Sequence, residues 1–125
     1  MRRSKSWGLI LGLLFPFTAL AFPVPMKSDE LNRYANAIWW TEGGPNTHYP
    51  YGIKSIFTFS RVEAREICIN TIQHAWKDWQ LADYPKDFVT FLADRYCPSE
   101  TDPSGHIYWV KNVRWFLKHP KPLAT

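Results

Sequence analysis

Residues 38–53 read IWWTEGGPNTHYPYGI, and the fold turns on where a helix stops within them. Upstream, Ser28 or Asp29 offers a capping side chain, and Leu31, Ala35, Ile38 and Trp39 recur at helical spacing. Downstream, Gly43 and Gly44 suit the left-handed closing turn of a helix, and Pro45 cannot extend one. The stretch therefore predicts a helix from Ser28 or Asp29 to Glu42. At about 100° per residue, Glu42 falls in the middle of the apolar stripe, while Asn32, Arg33 and Asn36 occupy the opposite side. A carboxyl group thus points where the core-facing residues point, at the helix end where the core opens.

The rest of the chain reads as further helices. Ser60 and Glu63 form a capping box opening a long helix to about Leu81, with Cys68, Ile72, Ala75, Trp76 and Trp79 on its apolar face. A third helix is expected from Pro85 to about Tyr96, burying Phe88, Val89 and Leu92, and a last one from about Ile107 to Lys118 with Trp109, Val113, Phe116 and Leu117 on one side. Residues 46–59 read as irregular or weakly extended, residues 98–105 as a polar loop, and the tail from His119 as frayed. The fold class is mainly α, one small helical domain.

Arg2, Arg3 and Lys5 precede an apolar run that is too short and Pro-interrupted for a membrane span and ends in Ala19-Leu20-Ala21. This is the pattern of a secretory signal peptide over residues 1–21, leaving residues 22–125 as an exported single domain, periplasmic or secreted, with no stable membrane anchor. Of 15 Lys and Arg against 11 Asp and Glu, three bases leave with that segment, so the mature chain is close to neutral. A nucleic-acid partner is thereby not expected, since such a domain keeps a basic face. In an oxidising compartment two cysteines pair by default, so a Cys68–Cys97 staple is expected, contributing about 3–4 kcal/mol in the chain-entropy model.

Two effects raise the pKa of a glutamate placed like Glu42. Desolvation beside apolar groups disfavours the charged form, and so does the partial negative charge of a helix C-terminus. A carboxyl kept protonated near neutral pH can deliver its proton to a leaving oxygen. Tyr49 and Tyr51 in the following loop are suitable sugar contacts, and Gly52 lets a backbone approach a ligand closely. Trp40 lies off the apolar stripe and is expected to pack under that loop. His48, His74, His106 and His119 are scattered without zinc-ligand spacing, and no nucleophile elbow or phosphate loop is present. No metal or cofactor is expected.

The run Trp40-Thr41-Glu42-Gly43 followed by Tyr51-Gly52-Ile53-Lys54 resembles the start of the lysozyme-like superfamily, nearest the goose-type lysozymes and soluble lytic transglycosylases. In that group a helix ends in Glu-Ser and a Gly-Leu-Met-Gln segment follows across the cleft. Here Gly43 stands in place of the serine and Lys54 in place of the glutamine. The resemblance implies a lysozyme-like domain, monomeric, with Glu42 as catalytic acid acting on the glycan strand of peptidoglycan. Attack is then by water or by the sugar's own 6-hydroxyl. Tyr96 is the counterpart it suggests for the family's acid-orienting tyrosine. Asp83, Asp94 and Asp102 are the acids a fold could bring round as a second carboxylate, at roughly 6.5–9.5 Å for an inverting pair. A second reading is a non-catalytic exported module that holds glycan or a protein partner in the same cleft, and a third is an inhibitor of a secreted enzyme.

Overall fold

The computed structural model describes residues 22–54 and 60–123. The signal-peptide expectation, and the last five residues (55–59) of the stretch expected to be irregular, lie outside them. Among the described residues there are four α-helices and no strand: α1 Ser28–Thr41, α2 Arg61–Leu81, α3 Phe88–Tyr96 and α4 Pro103–Lys118. Two 3-10 turns, Gly44–Asn46 and Pro50–Gly52, follow α1. None of these helices is long and apolar enough to cross a membrane.

Local chemistry sets the boundaries. α1 closes on Glu42 with Gly43 left-handed at φ 113°. α2 opens with the full reciprocal box, the Glu63 N–H donating to Ser60 Oγ and the Ser60 N–H to Glu63 Oε1. α3 begins three residues later than Pro85 suggests. Asp83 and Tyr84 take left-handed backbone, and Asp87 supplies the cap by accepting from the Thr90 N–H. α4 begins four residues earlier than expected, because Asp102 accepts from the Gly105 N–H and Pro103 occupies the first helical position.

α1 is the central element, packed on α4, α2 and the turn Pro50–Gly52. Ala35, Ile38 and Trp39 from α1 meet Ala64, Cys68, Ile72 and Ala75 from α2, Leu92 from α3, and Trp109 and Val113 from α4 in one core. Ahead of α1, the lead segment is tied to α2 by side chains standing in for a strand partner. Gln73 exchanges hydrogen bonds with both backbone groups of Met26, and Gln80 does the same with Val24. Trp40 packs against Gly44, just after α1, and also on α4 and the tail, stacked on Phe116 with its indole N–H donating to the Lys121 carbonyl. Ile72 is fully buried, so Ile72→Ala should cost about 2–5 kcal/mol, read as a lowered denaturation midpoint.

The expected disulfide is not formed: Cys68 and Cys97 are free thiols. At the last turn of α3 it is Tyr96, not Cys97, that faces α2, and its hydroxyl lies 3.4 Å from the Cys68 sulfur. Cys97 points away, its thiol 3.6 Å from an Asp102 carboxylate oxygen at the start of α4. Burial pushes the Cys68 thiol up to about 12, which removes its thiolate reactivity. Unreduced protein should therefore take two alkyl groups from iodoacetamide in denaturant, and under native conditions Cys97 should react before Cys68. A mass without adducts in denaturant would mean a bridge.

Candidate functional site around Glu42

α1 delivers Glu42 to the site as its C-cap residue. The side chain is half-buried and enclosed on two sides. From α4, the Trp109 indole N–H donates to Glu42 Oε2 at 2.8 Å. From the turn, the Gly52 backbone is so close that a Cβ built there would lie 2.6 Å from the Glu42 carboxyl carbon. Oε2 is thus occupied as an acceptor, which leaves Oε1 to carry the proton.

Burial raises the Glu42 pKa, and the Trp109 hydrogen bond and the charge of Lys54 oppose that rise in part. This is a useful opposition for an acid. Desolvation favours the protonated form, while the indole N–H and the ammonium group stabilise the carboxylate once the proton has gone.

The turn that carries Gly52 is unusual. Tyr51 at φ 59° and Gly52 at φ 73° are both left-handed, a conformation that costs a tyrosine about 1–3 kcal/mol and persists only when its surroundings enforce it. The enforcement is visible. The Tyr51 ring is 3% exposed and packs on Trp39 at 5.3 Å between centroids. Its hydroxyl lies 3.0 Å from Arg65 Nη1, which donates to it. The same guanidinium donates to Asn36 Oδ1 at 2.9 Å and to Asn32 Oδ1 at 2.8 Å, both on α1.

Of the residues singled out from sequence, Gly52 lies directly against Glu42. Tyr51 belongs to the core, not to the wall of a cleft. Tyr49 is exposed, with Lys54 Nζ 5.7 Å from its ring centre. Tyr96 makes no hydrogen bond to Glu42; it stacks on Trp109 at 5.0 Å and 17°, and so supports the residue that does. Asp83 is exposed in the turn after α2, Asp94 faces Lys86 and His106, and Asp102 caps α4. No metal-holding cluster of His, Cys, Asp or Glu occurs among the described residues.

Sequence reasoning placed Trp109 only on an apolar face and did not connect it with Glu42. The available signal was chemical: a buried indole N–H needs an acceptor, and Glu42 is the acid that the α1 stripe turns inward. An open groove of about 790 Å³, lined in part by Val110, Arg114, Trp115 and Leu117, lies on a different face of α4 and does not include Glu42.

Comparison with known proteins adds no name to this geometry: no family model, curated protein or solved structure matches the chain.

Proposed function

We propose that this protein is an exported, lysozyme-like glycosidase that cleaves the glycan strand of peptidoglycan, with Glu42 as its general acid. One observation carries the reading. The Glu42 carboxyl is held between an indole N–H and a glycine backbone in a half-buried position that raises its pKa.

In this reaction Glu42 Oε1 gives its proton to the glycosidic oxygen as the sugar–oxygen bond breaks, and positive charge develops on the ring left behind. The sugar's own 6-hydroxyl then forms the new bond and returns its proton to the Glu42 carboxylate, or water forms it and passes its proton to solvent, from which Glu42 is reprotonated. No carboxylate is among the groups whose charge acts on Glu42, so the reading assigns the acid role to a single residue and needs no enzymic nucleophile. Tyr49, exposed in the loop that follows Glu42, offers a flat apolar surface on which a sugar ring can stack.

Digestion of purified peptidoglycan by the mature protein, beside Glu42→Gln, tests the proposal. Soluble muropeptides from the wild type alone support it. Their masses then separate a lytic transglycosylase, which leaves 1,6-anhydro ends, from a hydrolase, which leaves reducing ends. Binding of both proteins to the sacculus without release overturns it in favour of a glycan-holding module.

A further inference from the structure

The acid of the proposed site is seated by a residue that does not touch it. We propose that Arg65 is the positioning residue for Glu42: its guanidinium grips the Tyr51 hydroxyl and two asparagines of α1 together, and so holds the left-handed turn that seats Gly52 on the Glu42 carboxyl.

The chain of contacts is continuous. Arg65 reaches from α2 to Asn32 and Asn36, one helical turn apart on α1, the helix that ends in Glu42. Its remaining bond runs to Tyr51, the residue before Gly52. One planar fork therefore fixes the turn relative to the helix that bears the acid, which a lysine with its single head cannot do. The left-handed backbone of Tyr51 makes the grip necessary, since a free chain would leave that conformation. When the turn withdraws, water reaches the carboxyl and the desolvation that favours its proton is lost.

Of the other groups acting on or sensing Glu42, Lys54 alone is carried with the turn, and because desolvation is the larger cause of the Glu42 shift, loss of the Lys54 charge does not reverse its direction. Lys54 follows the turn, Trp109 comes from α4, Cys68 from α2, and Tyr96 and Cys97 from the end of α3. Lys54 is the cation whose charge reaches Glu42, so the influence assigned to Arg65 is geometric.

The catalytic side of this inference rests on Glu42 being the acid, whereas the seating does not, and the experiment separates them. The side-chain carboxyl carbon of Glu42, assigned by its absence in Glu42→Gln, is titrated by NMR in wild type, Arg65→Ala, Arg65→Lys and Tyr51→Phe. Peptidoglycan release is followed in parallel over pH. Thermal denaturation identifies which variants remain folded, and Tyr51→Phe, which loses one hydroxyl and keeps the ring, serves if both Arg65 variants unfold.

In each variant the Glu42 titration should move toward the ordinary glutamate value. The alkaline limb of activity should move to lower pH with it, and kcat should fall about tenfold with KM less affected. Arg65→Lys should behave like Arg65→Ala, because the fork matters and the charge does not. A Glu42 titration that stays put in folded Arg65→Ala and Tyr51→Phe overturns the proposal, whatever the activity. Undiminished cleavage by Glu42→Gln overturns the functional reading instead, and the titration alone then decides the role of Arg65.

Discussion

Glutamine at position 42 is expected to lower muropeptide release by about 100- to 10,000-fold, the usual contribution of a positioned general acid. The substitution is close to isosteric and its amide oxygen can still accept from the Trp109 indole N–H, so the fold and the surface offered to glycan persist. What disappears is the proton on Oε1. The variant should also be more stable than the wild type at neutral pH. Glu42 has a raised pKa in the folded state, so between the unfolded and folded values the native protein binds more protons than the unfolded chain. Stability then falls as pH rises through that window. The contribution is fully present below the ordinary value of 4.5 and lost above the raised one. Denaturation midpoints of the two proteins should therefore converge in acid and separate at neutral pH, with glutamine above glutamate. A wild type more stable than the variant at neutral pH would show that the folded environment favours the carboxylate, and the acid role would lose its physical basis.

The inward placement of this carboxyl was legible in the sequence because periodicity alone turns Glu42 toward the core. The ends of α1 and α2 were legible for a similar reason: the Gly43-Gly44-Pro45 stop and the Ser60/Glu63 box act within a few residues of themselves. The start of α4 was not. In Ser-Glu-Thr-Asp-Pro-Ser-Gly every residue is an ordinary loop former, and Asp102-Pro103 becomes a cap and first turn only because the Asp102 carboxylate takes the Gly105 N–H. The cysteines show a different limit. A bridge is the expectation for two cysteines in an exported chain, but Tyr96 and Cys97 project from the end of α3 about 100° apart, and the sequence does not say which faces Cys68. Arg65 shows the same limit at longer range. Nothing in its own helix singles it out, and Asn32 and Asn36, which read as the polar side of α1, are found on its guanidinium.

Alanine at Gly52 should lower activity steeply at a modest cost in stability. The new Cβ would stand 2.6, 2.8 and 2.9 Å from the Glu42 carboxyl carbon and its two oxygens. Those atoms are the far end of a side chain, so the clash is relieved by swinging the carboxyl out and breaking its bond to Trp109, with little disturbance to the core. The fold then loses mainly the strain of a left-handed alanine, about 1–2 kcal/mol, or about 5–10 °C in a domain of this size. The acid loses its place, and displacement of a reacting group by about 1 Å costs about 100-fold or more in rate. Release of muropeptides should accordingly fall by at least that factor while the protein remains folded. The decisive comparison is the double variant. If Gly52 acts through Glu42, adding Gly52→Ala to Glu42→Gln should cost no further activity, since a group already without a proton cannot be misplaced to any effect. Losses that multiply would mean that the Gly52 backbone contacts the glycan itself. A folded Gly52→Ala protein with undiminished release would mean that the Glu42 carboxyl is not the group that reacts.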